Sequence, residues 1–327
     1  AVRAGQEKLA RHYIHNWGTD DHKLPGGNDL RKAAYHFGWD WGPKLAPCGI
    51  GRDIELIAFD TRLDGLHIVQ IHGQAGQVTL GVEVDVQGTG GAGLSAVCTV
   101  VFQGQTLLEE QTAVAGSRAF LELHIAEPRL WWPNGMGEQP LYEVQVRLLD
   151  GTGAAVDMWQ RQIGLRTLAL DRHEDEWGES FQFVVNGVPF FAKGANWIPA
   201  DSFGTRVADD VYWGLLADAA AANMNMLRVW GGGIYEQDVF YEYCDRLGLC
   251  VWQDFMFACA AYPTFDEAFM ANVEQEAIDA VRRLRHHACL ALWCGNNELE
   301  QGLVREEWTP ITMSKADYAA LFDKMLP

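Results

Sequence analysis

Apolar and polar residues alternate with period two over residues 78–86, 96–102, 119–125 and 141–149, and Gly-rich turns at 87–93 and 150–153 punctuate them. Alternation of this kind turns one face of each strand toward a core. Roughly one hundred residues of short strands so spaced predict an immunoglobulin-like sandwich. After Trp177 the period changes. Residues 181–185 and 188–193 are strand-like runs around Asn186-Gly187, a hairpin signal. A helix is expected over 207–223, with Val211, Leu215, Leu216 and Ala219 facing inward and Asp209 and Asp210 in its first turn. A strand at 225–229, a helix at 236–247 closed by Gly248, and a strand at 249–253 follow. The next helix opens at Thr264-Phe265-Asp266-Glu267, a capping-box pattern, and leads into the apolar run 289–294.

Strands beginning near 190, 225, 249 and 289, each followed by a helix, predict a parallel sheet. Their ends are polar or aromatic: Asn196 and Trp197, Arg228 and Trp230, Asp254, then Asn297 and Glu298. A doubly wound sheet would gather such residues at one switch point, whereas an eight-stranded barrel draws on many strand ends, so the pattern favours the barrel. Gly231-Gly232-Gly233 lacks the spacing of a phosphate loop. Four strand-helix units fit between residues 190 and 327, half of what a (β/α)8 TIM barrel needs. The expectation is therefore the first half of a barrel, in a fragment of a longer polypeptide. The N-terminal stretch is helix-like and has no signal-peptide core, which leaves localisation unknown, cytoplasmic and secreted both open.

Charge and composition narrow the partners. The 327 residues carry a net charge of −19, which argues against nucleic acid and anionic membrane and suits a neutral ligand. No apolar run reaches the length of a transmembrane helix. The seven Cys show no CxxC pair or metal-ligand spacing and read as buried free thiols; His286 and His287 read as capping or solvated, and no metal or cofactor is expected. Thirteen Trp are compatible equally with a core and with sugar-stacking platforms.

Two stretches carry candidate chemistry. In Tyr35-His36-Phe37-Gly38-Trp39-Asp40-Trp41-Gly42-Pro43, aromatics bracket one carboxylate in a rigid loop, which fits either a self-anchored turn or a platform with an acceptor for sugar hydroxyls. In Trp293-Cys294-Gly295-Asn296-Asn297-Glu298 an apolar strand stops in amides and a carboxylate, a suitable place for a general acid beside a hydroxyl-binding amide. Together with Arg228-Val229-Trp230-Gly231-Gly232-Gly233 and Trp131-Trp132-Pro133-Asn134-Gly135, these stretches resemble the β-mannosidases of glycoside hydrolase family 2.

The resemblance spans nearly the whole chain. It implies the end of a sugar-binding jelly-roll domain at 1–60, an immunoglobulin-like β-sandwich at 61–168 and the N-terminal half of a catalytic TIM barrel at 169–327. It implies an exo-acting, retaining hydrolase of terminal β-mannose that uses no cofactor. Glu298 would be the acid/base, Asn297 the contact to the 2-hydroxyl, and Asp40 with Trp41 further substrate contacts. Trp197 and Trp230 would line the pocket, and Arg228 would hold the nucleophile's carboxylate. The nucleophile, a Glu on the seventh barrel strand in the family, is not in this chain; Glu300, Glu306 and Glu307 read as solvated charges. The competing expectations are a family 2 glycosidase acting on galactosides, glucosaminides or glucuronides, and a non-catalytic carbohydrate-binding protein. β-Mannoside oligosaccharides or glycoconjugates are the expected partners, and the oligomeric state stays open.

Overall fold

The structure, a computed structural model, describes residues 2–11, 24–51, 53–88, 93–304 and 313–326. Part of the expected turn at 87–93, and Glu306 and Glu307, lie outside the described residues. Helix α1 (Val2–Arg11) is followed by short 3-10 turns at Gly27–Asp29 and Ala34–Phe37.

Seven antiparallel strands then form a sandwich: β1 (Thr61–His72), β2 (Val78–Gly88), β3 (Ser95–Phe102), β4 (Gln105–Ala113), β5 (Arg118–Ile125), β6 (Tyr142–Leu149) and β7 (Ala155–Ile163). One sheet has the order β1-β2-β5 and the other β4-β3-β6-β7. Alternate residues of the facing strands meet between them, Val78, Leu80, Val82 and Val84 of β2 against Ala96, Cys98 and Val100 of β3 and Val144 and Val146 of β6. The strands that periodicity did not identify, β1, β4 and β7, all lie at sheet edges. With one side open to water, an edge strand such as β4 carries little apolar alternation for a pattern to register.

A second β region covers the lower end of the following sheet. Strand β8 (Leu168–Asp171), the two-residue pair β9 (Glu174–Asp175) and β10 (Gly178–Glu179), and the hairpin β11 (Gln182–Val185) and β12 (Val188–Phe190) belong to it. The turn is the Asn186-Gly187 pair, both left-handed at φ 49° and 79°, the geometry a tight two-residue hairpin requires.

Strands β13 (Gly194–Trp197), β14 (Met226–Val229), β15 (Cys250–Asp254) and β16 (Leu290–Cys294) form a parallel sheet in sequential order, as expected from the strand-helix alternation. Helices α2 (Asp209–Ala221), α3 (Asp238–Leu247) and α4 (Glu267–Leu284) make the three crossovers; α5 (Leu299–Val304) and α6 (Lys315–Tyr318) follow β16. Two local expectations are corrected. Asp266, not Thr264, caps α4, accepting from the N–H groups of Ala268 and Phe269 at 2.9 and 3.2 Å. On α2 the buried residues are Tyr212 and Leu216, while Val211 and Leu215 are exposed, because apolar residues surround this helix and periodicity does not single out one face.

Candidate active site at the ends of the parallel strands

Cross-strand register decides which side chains share a face. Asn196, Arg228 and Trp252 are register partners in turn across β13, β14 and β15, so they lie on one face; Trp197, Val229 and Gln253 lie on the other. The first face is apolar toward the strand starts, where Met226, Cys250 and Leu292 pack with Phe183, Phe190 and Trp131. Toward the strand ends it is polar, and there the candidate residues gather.

Asp254, the last residue of β15, is the electrostatic centre of this end and is fully buried. Its carboxylate accepts from Arg228 Nη2 at 2.7 Å and Nε at 3.2 Å, from Trp252 Nε1 at 3.0 Å and from the Gly231 N–H at 3.0 Å. Burial pushes its carboxyl up from the usual range, and the Arg228 charge pulls it back. A Cβ on Gly231 would stand 2.5 Å from the Phe257 carbonyl oxygen, so the first glycine of the triplet is needed for this approach. Arg228 Nη2 also donates to Asn297 Oδ1 at 3.0 Å, and Nη1 lies 3.4 Å from Asn196 Oδ1. The guanidinium is thus engaged within this chain. The resemblance implied that Arg228 holds the nucleophile's carboxylate; the carboxylate it meets in this chain is Asp254, across the sheet from it.

Asn297 is buried and Glu298 is exposed. A loop after β15 extends the strand pairing to them: the Asn297 N–H donates to Phe257 O at 2.9 Å and the Cys259 N–H to Asn297 O at 3.2 Å. Glu298 sits at φ 64° and Cys259 at φ 45°, left-handed values that are uncommon for residues other than glycine and cluster at functional sites. The side chains close a triangle. Asn297 Nδ2 is 3.4 Å from Glu298 Oε2 and 3.3 Å from Cys259 Sγ, and Cys259 Sγ is 3.3 Å from Glu298 Oε2. Asn296 accepts the Leu299 N–H at 3.0 Å, starting α5 directly behind Glu298.

The aromatic loop joins from the N-terminal region. Trp39 and Gly42 exchange backbone hydrogen bonds of 3.2 Å, forming a tight turn with Asp40 and Trp41 at its exposed tip. The loop is fastened to β14's end by the Tyr35 N–H, which donates to Gly232 O at 3.0 Å. Trp39 and Trp41 both meet Trp230 edge-on, with centroids 4.7 and 5.7 Å away. Trp230 is buried with Tyr35 and Ala258, next to the Asn297 pairing segment. The structure therefore connects Asp40, Trp41, Trp230, Arg228, Asn297 and Glu298 through one contiguous set of contacts.

Trp197 is not part of that set. It packs on Phe240 and Tyr212 in the layer between sheet and helices, and its Nε1 donates to buried Glu236 Oε1 at 3.0 Å. The expectation that it lines the pocket is corrected: one step along a strand reverses the face. His287 is also not solvated. It is buried, 2.6 Å from Asp245 Oδ2, while Asp245 Oδ1 accepts the Cys289 N–H at 2.7 Å. Asp245, His287 and Cys289 would be close enough to share a metal ion; they lie by the start of β16, where Asp245 engages the His287 ring and the Cys289 N–H and the Cys289 thiol donates to Tyr241 O at 3.6 Å. Of the expected buried thiols, Cys48 is exposed.

A cleft of about 710 Å³ lined by Arg31, Tyr235, Met256, Asn272, Glu276 and others includes neither Asn297 nor Glu298. Strand-end geometry, rather than cavity size, marks the site, because β16 lies at a sheet edge and its end is open on one side.

Comparison with known proteins relates the chain to glycosyl hydrolases. Residues 1–52 match the galactose-binding-like domain of glycosyl hydrolase 2, and residues 58–166 match glycosyl hydrolases family 2. The chain is 40% identical over 326 residues to a protein named β-mannosidase B of Emericella nidulans, covering 94% of this chain and 38% of that protein. It is 38% identical to β-mannosidase B of Aspergillus fumigatus, over 96% of this chain and 38% of that one. It thus spans about two fifths of the length of the curated relatives it matches. A solved β-D-mannosidase from Dictyoglomus thermophilum superposes with a TM-score of 0.88 at 39% identity, covering 98% of this chain and 40% of its own. A β-glucuronidase from Parabacteroides merdae, at TM-score 0.65 and 14% identity over 80% of this chain and 31% of its own, shares the fold. The chain carries domains of glycosyl hydrolase family 2.

Proposed function

We propose that this chain forms about two fifths of a retaining, exo-acting β-mannosidase, and that residues 169–327 are the first half of its catalytic (β/α)8 barrel. Residues 1–60 and 61–168 are read as the end of a sugar-binding jelly-roll domain and an immunoglobulin-like support. The observation that carries the reading is the Glu298 carboxylate, held against the Asn297 amide beyond the end of β16. The names of the relatives, and the Asp40 turn seated on Trp230, support it.

In this mechanism Glu298 protonates the glycosidic oxygen as the bond to the anomeric carbon breaks, then deprotonates the water that releases the sugar. Asn297 bonds the 2-hydroxyl, its Oδ1 and Nδ2 oriented by Arg228 and Glu298. Asp40, exposed at the tip of its turn, accepts from other hydroxyls beside the Trp41 ring. A second carboxylate roughly 5–5.5 Å from Glu298 is required as nucleophile and is assigned to the remainder of the barrel.

The test is Glu298→Gln in the polypeptide that carries both carboxylates. Loss of roughly 10²–10⁴-fold is expected on β-mannosides with poor leaving groups, with the first step on 2,4-dinitrophenyl β-mannoside largely spared. Equal loss on both substrates would exclude the acid role. Faster hydrolysis of p-nitrophenyl β-galactoside or β-glucoside than of the mannoside would replace the proposed specificity.

A further inference from the structure

We infer that Cys259 is a positioning residue for the acid/base, and that Arg31 holds its loop from the N-terminal region; the inference rests on the reading of Glu298 given above. Two donors converge on one oxygen of the Glu298 carboxyl: the Cys259 thiol at 3.3 Å and Asn297 Nδ2 at 3.4 Å, both on Oε2. An oxygen that accepts two hydrogen bonds is the one on which a proton is least favoured. The proton destined for the leaving group is thereby assigned to Oε1, and the carboxyl plane is fixed relative to the sugar.

The thiol can take this place only because Cys259 is held at φ 45°, and the structure shows what holds it. Its N–H is tied to Asn297 O at 3.2 Å, and the Tyr262 hydroxyl accepts the N–H of the preceding Ala258 at 2.8 Å. The rest of the loop is clamped from residues 28–31. Arg31 Nη2 donates to Met256 O at 2.9 Å, its guanidinium lies 4.2 Å above the Phe257 ring, and Nε and Nη2 form a bidentate pair with Glu276 at 2.8 and 2.7 Å. Asn28 Nδ2 donates to Ala261 O at 2.5 Å and is buried. Phe257 O, within the clamped segment, receives the Asn297 N–H. Contacts from the N-terminal region thus reach Glu298 through two residues of backbone. Misplacement of an acid by a fraction of an ångström is enough to lower the rate substantially.

The experiment compares Cys259→Ala, Cys259→Ser and Arg31→Ala with the parent in the whole two-carboxylate enzyme, each on β-mannobiose and on 2,4-dinitrophenyl β-mannoside. Cys259→Ala is expected to lower kcat/KM on the disaccharide roughly 10- to 10²-fold and on the activated substrate less than about 3-fold. Cys259→Ser, which keeps a donor, is expected within about 3-fold of the parent on both, and Arg31→Ala should shift the substrate ratio in the same direction as Cys259→Ala. Equal factors on both substrates, or an unchanged ratio in soluble, cooperatively melting Cys259→Ala, overturns the positioning role while leaving the mannosidase reading intact. A parent protein that hydrolyses neither mannoside overturns the acid/base reading and this inference with it.

Discussion

Asp254 has no exposed surface and accepts four hydrogen bonds, two of them from Arg228, whose side chain is one quarter exposed. Removing one partner of such a pair leaves the other charge buried without compensation, which costs about 3–5 kcal/mol. Asp254→Ala is accordingly expected to lower the unfolding free energy from a urea titration by an amount in that range, with Asp254→Asn intermediate because the amide oxygen still accepts from Arg228. An unchanged midpoint in Asp254→Ala would show that the pair is not structural. At this scale the sequence was legible where a short motif carries the proposed chemistry, as in Asn297-Glu298 and Trp39-Asp40-Trp41. It was not legible where partners are brought together by register. Asp254 was recognisable only as a polar strand end, and Cys259 only as a thiol, since their neighbours Arg228 and Glu298 are 26 and 39 residues away.

Between the sandwich and the parallel sheet, the Trp131-Trp132-Pro133-Asn134-Gly135 loop acts as the fastening element. Trp131 is fully buried and its Nε1 donates to Asp245 O at 2.7 Å; Asn134 Nδ2 donates to Ala220 O at 2.8 Å and Met224 O at 2.9 Å, at the end of α2. Its N–H reaches Gly248 O at 2.8 Å, just past α3. Trp131→Ala should cost about 3–5 kcal/mol in a denaturant titration, as for other large buried aromatics. Gly248 closes α3 at φ 71°, and a Cβ there would lie 2.5 Å from the Asn134 backbone nitrogen. Gly248→Ala is therefore expected to lower the unfolding free energy through both strain and collision, by more than the roughly 1 kcal/mol of a left-handed position alone; a loss no larger than a surface glycine gives would remove the collision from the account. Helix caps and the Asn186-Gly187 turn were readable because local conformation determines them. The edge strands and the buried face of α2 depend on what covers them, which no local pattern contains.

Across the molecule, polar side chains join regions far apart in sequence. Arg166 donates to Ala288 O and Leu290 O at 2.9 and 2.5 Å, and Arg285 to Leu66 O at 2.7 Å, which fixes the sandwich against the parallel sheet. Two histidines lie in partly buried junctions of this kind. Burial holds His36 down to about 4 and His286 down to about 2, against 6.5 for a free imidazole. Their folded values are depressed, so the unfolded chain binds more protons below pH 6.5, and stability should fall as pH drops from about 6.5 toward 4. Denaturant titrations of His36→Phe with His286→Phe should show a shallower decline over that window; an identical slope would assign the acid sensitivity to other groups. No local pattern signals these environments, since residues from another part of the chain enclose each histidine: His286 meets Trp159 of β7 at a ring distance of 6.1 Å.

The grip of Arg31 on Glu276 spans 245 residues of chain. Closing so long a loop is entropically costly and gives nothing back until both ends are already ordered, so such contacts form late in folding. The hairpins and helices can assemble from near neighbours, whereas the loop inferred to orient Glu298 is locked only once residues 28–31 have docked on it and on α4. In the polypeptide that carries both carboxylates, recovery of β-mannoside hydrolysis after dilution from denaturant should therefore trail recovery of far-ultraviolet circular dichroism. Shortening that lag would require a stronger clamp, because the strands themselves are already in place.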